Sequence, residues 1–145
     1  MAKILVIEKS GLVFDMWRIR AQVAMGKFED EFMWAPTPNV GLQILCQNSD
    51  TTLVVVGRLE RPMDYGSREL LADIRRTFSG TVVKVSDLEE PARRVFLKVG
   101  FTHATTTGGL SSVLQQLLAA EPEVVVPVNQ GEGGDGSAIS ALANN

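Results

Sequence analysis

Two patterns of apolar residues alternate along the chain. Short runs of consecutive aliphatic and β-branched residues are typical of strands that are buried on both faces. Each run is followed by a longer segment in which apolar residues recur every three or four positions, as in an amphipathic helix. The runs predict five strands, at Lys3–Ile7, Glu31–Trp34, Leu53–Val56, Thr81–Val85 and Thr102–Thr106. This alternation indicates an α/β fold with a parallel sheet that is covered by helices on both faces.

Each helix-like segment has one apolar stripe, which we expect to face the sheet. In the first helix the stripe repeats at intervals of four, three and four residues, and it consists of Leu12, Met16, Ile19 and Val23. In the fourth helix, which has Pro91 near its first turn, the stripe consists of Ala92, Val95, Phe96 and Val99. The remaining helices are predicted around Val40–Gln47, Gly66–Phe78 and Leu110–Ala119.

The alternating pattern ends after the fifth helix. Val124–Val128 is a short apolar run that contains Pro127, and Gly131–Gly136 is rich in glycine and acidic residues. Segments of this composition cannot bury enough apolar surface to offset the conformational entropy that folding removes. We therefore predict one domain over residues 1–120 and a flexible, Gly- and acid-rich tail over residues 121–145.

Composition narrows the functional classes. A chain of 145 residues with 45% hydrophobic content suits a single soluble domain with one core. The formal net charge is -3 and the longest basic runs are pairs such as Arg75-Arg76, so nucleic-acid binding is not expected. The single cysteine, Cys46, excludes an internal disulfide, and its apolar neighbours predict a buried thiol in a reducing compartment, the cytoplasm. The apolar run Ile4–Ile7 is too short to span a membrane, so no membrane contact is expected.

The third predicted strand and the loop after it resemble a known family. Leu53–Val56 is followed by Gly57, by a loop that reads Arg61-Pro62-Met63-Asp64-Tyr65-Gly66, and by an amphipathic helix. Together with the strand and helix alternation over residues 1–120, this layout is similar to the receiver domains of response regulators, the CheY-like family. The resemblance implies a five-stranded, parallel, doubly wound sheet of flavodoxin-like topology with the strand order 2-1-3-4-5.

Receiver domains carry a phosphorylation site at the carboxyl ends of their strands, and much of that site is missing here. The aspartate that accepts the phosphoryl group is matched by Gly57, and the acidic pair that holds Mg²⁺ is matched by Glu8 and Lys9. Glycine has no carboxylate nucleophile to offer. A single carboxylate beside an ammonium group is also a poor ligand set for Mg²⁺. We therefore expect neither aspartyl phosphorylation nor a metal site.

The other positions of the family's site lie at the last two strands. The hydroxyl residue that ends strand four is matched by Ser86, which keeps the family's residue type. The lysine that closes the site after strand five is matched by Thr107, and the aromatic switch residue of that strand is matched by Ala104. Loss of the acceptor, of one metal carboxylate and of the lysine implies a degenerate member of the family, a pseudo-receiver.

The resemblance implies a signalling or regulatory module related to two-component systems. It would be non-enzymatic, would need no cofactor and would act through protein–protein contact. The expected partner is a protein such as a sensor kinase, a regulator or an output protein. The expected surface consists of the fourth helix, the fifth strand and the fifth helix, and the same face offers a route to a homodimer.

An alternative function is a sensor of small molecules or nucleotides, because open α/β sheets bind ligands at the loops after their strands. The segment after the first strand, Glu8-Lys9-Ser10-Gly11, is not a glycine-rich phosphate loop, which weakens this alternative. A third hypothesis is an enzyme of flavodoxin-like fold. The sequence shows no catalytic nucleophile with a general base beside it, which speaks against this hypothesis.

Four side chains keep two interpretations each. Lys9 either pairs with Glu8 in the vacated metal site or extends into solvent. Ser86 either donates to a ligand or caps the next helix through a capping box. Trp17 and Trp34 either pack in the core or form an exposed interface, where aromatic residues are common.

Overall fold

The computed structural model describes residues 1–26, 28–59 and 65–119. Within these residues five strands alternate with five helices. The strands are β1 (Lys3–Ile7), β2 (Glu31–Ala35), β3 (Leu53–Val56), β4 (Thr81–Val85) and β5 (His103–Thr105). The helices are α1 (Gly11–Met25), α2 (Pro38–Gln47), α3 (Ser67–Ile74), α4 (Glu90–Val99) and α5 (Leu110–Ala119). The sheet belongs to a compact unit that spans Met1–Gln115.

All strand pairs are parallel, and the sheet has the order β2-β1-β3-β4-β5. This result confirms the predicted doubly wound, flavodoxin-like fold. The register pairs Ile7 with Val56, Val56 with Lys84, and Lys84 with Ala104. Because β1, β3 and β4 end at the same edge, the residues that follow them, Glu8 and Gly57 among them, are brought together.

The central strands form the core because all their faces are covered. Every residue of β3 is buried, as are four of the five residues in β1 and in β4. On one side of the sheet the buried cluster joins alternate strand residues to the inner faces of α2 and α3, and it consists of Leu5, Ile7, Ala35, Leu45, Val54, Val56, Leu70, Leu71, Ile74, Val82 and Phe101. Continuous aliphatic runs are what a parallel sheet with two covered faces requires.

The side of helix α1 that faces the sheet is opposite to the predicted side. Its buried residues are Phe14, Trp17 and Ala21. The predicted inner stripe instead faces solvent, since the exposed fractions are 79% for Leu12, 51% for Ile19 and 66% for Val23. The helix has two apolar stripes, and periodicity alone cannot rank them. The aromatic stripe is buried because two large rings remove more apolar area from water than aliphatic side chains do.

Helix α4 also differs from the prediction. All of its residues are described and none of them is buried, although Ala92, Val95, Phe96 and Val99 form the stripe that we expected in the core. Phe96 and Val99 are half-buried and pack against the core cluster, whereas Ala92 and Val95 are exposed. Below the helix lies Lys84, a buried charged residue on the otherwise uncharged strand β4. Its ammonium group lies 5.2 Å from the centre of the Phe96 ring, so a charged side chain fills the space below the helix.

Several smaller predictions change in the structure. Strand β2 continues to Ala35, β5 is limited to His103–Thr105, and α3 ends at Ile74 rather than Phe78. Cys46 is exposed, so the prediction of a buried thiol was wrong. The inner face of α2 uses Leu45 instead, and the residue after it on a helix points about 100° away. Helix α5 has the predicted bounds.

Two predictions fall on residues that the structure does not describe. The loop positions Pro62 and Asp64 lie outside the described residues, as does the predicted tail over residues 121–145. In the part of the chain that is described, no helix has the length and apolar character needed to cross a bilayer.

The orientation of α1 predicts opposite effects for two neighbouring substitutions. Phe14→Ala should lower the free energy of unfolding by about 3–5 kcal/mol, because it removes a buried ring that also stacks against Trp34. Leu12→Ala should change it by no more than about 0.5 kcal/mol, because that side chain is already in water. Urea denaturation of both variants measures the difference. Equal costs would contradict the observed orientation of the helix.

Candidate functional site

The candidate site lies at the sheet edge where β1, β3 and β4 end. A cleft of about 1050 Å³ opens there. Its walls come from the segments after β1, β3, β4 and β5, from the end of β4, and from the helices α1, α3 and α4. They include Lys9, Trp17, Arg58, Lys84 and Thr107. This is the edge at which open parallel sheets bind ligands.

Glu8 is fully buried at this edge and makes an internal contact with each of its carboxylate oxygens. Oε1 accepts a hydrogen bond from the backbone N–H of Arg58 at 2.8 Å, and Oε2 accepts one from the backbone N–H of Ser10 at 2.8 Å. The Arg58 guanidinium adds a contact to Oε2 at 3.4 Å. The backbone carbonyl of Glu8 accepts from Trp34 Nε1 at 2.7 Å. Glu8 therefore ties the end of β1 to the segment that follows β3.

Arg58, rather than Lys9, is the cation beside Glu8. The side chain of Lys9 is exposed, and its backbone N–H donates to the carbonyl of Arg58 at 3.0 Å. Of the two interpretations of Lys9, the structure has the one in which it extends into solvent. Arg58 was not identified from the sequence, although its place directly after Gly57 puts it at the same strand end.

No side chain has room to stand on Gly57. A Cβ atom there would lie 2.5 Å from Glu8 Oε1 and 2.8 Å and 3.0 Å from Cη2 and Cζ3 of Trp17. The Trp17 side chain is buried, so neither neighbour can move aside into solvent. The Gly57 N–H donates to the Ile7 carbonyl at 2.8 Å, which holds the backbone in place. The space next to the end of β3 is thus filled by a carboxylate and an indole ring.

Lys84 reaches the same point from the neighbouring strand. It is 6% exposed, and its Nζ donates to the carbonyl oxygen of Gly57 at 2.8 Å while lying over the Phe96 ring. A buried ammonium group is costly unless it is hydrogen-bonded or paired, and these contacts offset that cost. The sequence contains a signal for this buried group, since Lys84 is the one charged residue in the apolar run Thr81–Val85.

The predicted positions on β4 and β5 make structural contacts. Ser86 Oγ accepts from the backbone N–H of Leu88 at 3.3 Å, which is a turn contact and not the expected capping box, because the N-cap of α4 is Glu89. Ala104 is half-buried in β5 and pairs with Lys84 across the sheet.

Thr107 contacts a residue that the sequence did not single out, Asp87. The backbone N–H of Thr107 donates to Asp87 Oδ1 at 2.8 Å, and the hydroxyl of Thr107 donates to Asp87 Oδ2 at 2.9 Å. These two hydrogen bonds, the backbone one above all, lower the pKa of the Asp87 carboxyl from its usual value. They link the loops after β4 and β5, which the family closes with a lysine.

Tyr65 is the described end of the loop before α3. Its hydroxyl donates to Asp73 Oδ2 at 2.7 Å. Burial and this hydrogen bond raise the pKa of the Tyr65 hydroxyl above its ordinary value. The tyrosine is therefore held as a neutral donor against α3.

These residues offer few free ligands for Mg²⁺. Mg²⁺ requires several oxygen ligands in near-octahedral geometry, usually with one or two carboxylates among them. Both oxygens of Glu8 already accept N–H groups, and Gly57 has no side chain. Among the described residues there is no group of three or more histidine, cysteine, aspartate or glutamate side chains that could hold a metal ion.

Known proteins resemble this chain in structure rather than in sequence. No protein-family model and no curated protein matches the sequence. Among solved structures, a response regulator receiver domain protein from Clostridium thermocellum is 16% identical, with 82% of this chain and 95% of that chain covered and a TM-score of 0.64. The receiver domain of the Francisella response regulator 1452 is 14% identical, with 82% and 95% covered and a TM-score of 0.62.

A third similar structure is the BeF3-activated N-terminal receiver domain of Klebsiella pneumoniae RstA. It is 16% identical, with 81% of this chain and 95% of that chain covered and a TM-score of 0.63. Identities this low establish the fold and leave the function to the site itself. The chain has the fold of the response-regulator receiver domains.

Proposed function

We propose that this protein is a pseudo-receiver, a signalling or regulatory module that contacts other proteins and does not accept a phosphoryl group. One observation carries the proposal: the space next to Gly57, the residue that the resemblance matches to the phosphoacceptor, is occupied by the Glu8 carboxylate and the Trp17 ring. A missing aspartate alone is a change of one residue. Here the surrounding structure has also closed over the position.

Internal contacts take the place of the contacts that a phosphoryl group and a metal ion make in an active receiver. Arg58 pairs with Glu8, Lys84 donates to the carbonyl of Gly57, and Thr107 is bound to Asp87. A ligand shifts a two-state equilibrium only as far as it discriminates between the states. With the strand ends already tied to each other, we propose one constitutive conformation that is regulated by the amount of protein and of partner.

The proposed contact surface is the α4–β5–α5 face. Helix α4 has no buried residue, and Val95 and Leu97 are 52% and 46% exposed. Leu88, in the turn before α4, is 55% exposed. Exposed aliphatic side chains with basic residues among them, Arg94 and Lys98, suit a protein surface that has an apolar centre and an acidic rim. A sensor kinase, a regulator or an output protein is the proposed partner, with a second copy as the competing occupant.

A second candidate function is a sensor of small organic anions such as nucleotides. The cleft favours it, because among the described residues its lining has four cationic side chains and two acidic ones, namely Lys9, Arg58, Arg68 and Lys84 against Glu69 and Asp87. The hydroxyl groups of Ser67 and Ser86 lie on the same walls. The protein as a whole has a net charge of -3, so this concentration of positive charge is local.

Thermal unfolding separates the two functions. A ligand at about 100 times its Kd stabilises a protein by about 2.7 kcal/mol, which raises the thermal midpoint by several degrees. We expect adenine and guanine nucleotides and flavins to leave the midpoint unchanged. A rise that Arg68→Ala abolishes would establish the sensor instead, since Arg68 is exposed on the cleft wall and its removal leaves the core intact.

Incubation with acetyl phosphate and Mg²⁺ tests the proposed function. We expect intact-mass spectrometry to show no stable adduct of one phosphoryl group, because the acceptor position has neither a nucleophile nor open space. Gly57→Asp should not restore labelling, since its carboxylate would have to enter the volume that Glu8 and Trp17 fill. An adduct on the wild-type protein that maps to the segment after β3 would contradict the proposal.

Two glycine substitutions test whether the acceptor position is filled. Gly57→Ala should lower the free energy of unfolding by about 1–3 kcal/mol, the usual cost of an overpacked core. Gly108→Ala is the matched control, because a Cβ atom there meets nothing within 4 Å. It should leave stability unchanged or raise it by up to about 1 kcal/mol. Equal midpoints in urea for Gly57→Ala and the wild type would show that the space is open.

A further inference from the structure

Helix α1 carries an apolar stripe that the domain itself does not use. Leu12, Ile19 and Val23 are 79%, 51% and 66% exposed, and Met16 lies half-buried between them. Single aliphatic residues on a surface are ordinary. A stripe that runs along most of a helix of 15 residues is different, because contiguous exposed apolar patches mark interaction sites.

The stripe points straight away from the domain. At about 100° per residue, the buried residues Phe14, Trp17 and Ala21 are centred on one side of the helix, and Leu12, Ile19 and Val23 are centred on the opposite side. A partner helix can therefore reach the stripe without displacing any element of the sheet. The tight packing of Trp17 against Gly57 prevents the helix from rotating to bury the stripe.

The spacing of the stripe suits a second copy of the chain as the partner. Its intervals of four, three and four residues read the same in both directions along the helix. In a twofold symmetric contact between two antiparallel helices, one end of the stripe meets the opposite end of the stripe on the second copy. Leu12 then comes level with Val23 of the second copy, and Met16 with Ile19 of the second copy. Alternating intervals of three and four are also those of side chains that interlock between helices.

This arrangement leaves the charges on one flank of the stripe balanced. One flank carries Asp15, Arg18 and Gln22, which are joined within the helix by contacts of 3.3 Å and 3.4 Å. In the antiparallel pair this flank meets the same flank of the second copy. Asp15 then lies at the level between Arg18 and Gln22 of the second copy, and the two Arg18 side chains lie within about 1.5 Å of the same level, each next to the Asp15 of the other copy. The other flank presents Arg20 next to the uncharged Val13 and Ala24.

We propose that α1 is a homodimer interface, with two copies of the chain packed through an antiparallel α1–α1 contact. Four aliphatic side chains per copy cover less than the ~800 Å² per partner of a standard interface. The dimer is accordingly weak and reversible. It is distinct from the α4–β5–α5 face, so one molecule can hold a second copy and a different partner together.

Sedimentation equilibrium over a range from about 10 μM to about 1 mM tests the proposal. The mean mass of the wild type should rise with concentration from the monomer's 15.7 kDa towards twice that value. Ile19→Glu should remove the rise, since it places a charge at the centre of the stripe, and Val23→Arg is a second variant with the same expected result. Both positions are exposed, so we expect the variants to fold, and circular dichroism is the measurement that checks this.

Leu97→Glu is the matched control, because Leu97 is as exposed as Ile19 but lies on α4. It should keep the rise in mass. A wild type that stays at the monomer mass at about 1 mM would overturn the proposal. So would a rise that survives Ile19→Glu or that disappears with Leu97→Glu, and the latter result would place the dimer on the α4–β5–α5 face.

Disulfide formation tests the antiparallel direction. In a Cys46→Ser background, which removes the exposed native thiol, a mixture of Leu12→Cys and Val23→Cys proteins should form a covalent dimer under mild oxidation. Leu12→Cys alone should not, because the two copies of residue 12 lie about 16 Å apart along the helix axis. Faster dimer formation by Leu12→Cys alone than by the mixture would overturn the antiparallel contact.

Discussion

The structure depends on a steric constraint at the end of β3, where Gly57, Glu8 and Trp17 share a space that admits no further atom. A Cβ atom on Gly57 would approach the Glu8 carboxylate to 2.5 Å. Glu8 cannot turn away, because two backbone N–H groups and Arg58 hold its oxygens. Trp17 cannot turn away, because it is part of the buried face of α1. The glycine at position 57 and the orientation of α1 thus belong to one packing arrangement.

A second consequence appears on the other side of the sheet. Lys84 sends its ammonium group to the Gly57 carbonyl from β4, whereas the receiver family supplies its lysine after β5. Phe96 covers the ammonium group and, with Val99, packs against the core, whereas Val95 and Leu97 of α4 stay exposed. The apolar side chains of α4 that stay in solvent are then available for a protein partner. The site's cation and the proposed partner surface are physically linked in this way.

The sequence was sufficient for the fold because the fold follows from local periodicity. Strand runs such as Leu53–Val56 and helix stripes such as that of α5 agree with the structure, and parallel topology follows from their alternation. The sequence was not sufficient for the orientation of α1, where two apolar stripes compete and the choice depends on what the sheet edge can accommodate. It also missed Arg58 and Asp87, because their roles arise from contacts between separate strand ends that spacing does not encode.

Backbone NMR of the wild-type protein with Mg²⁺ and beryllofluoride tests the central claim most directly. Beryllofluoride binds as a phosphoryl group does, and it requires an aspartate carboxylate together with the metal ion. The account predicts that the resonances of Gly57, Glu8 and the Trp17 indole N–H stay at their positions, and that those of α4 and β5 do the same. Saturable shifts that begin at the end of β3 and extend into α4 would show that a phosphoryl group can still enter the site, and would contradict the account.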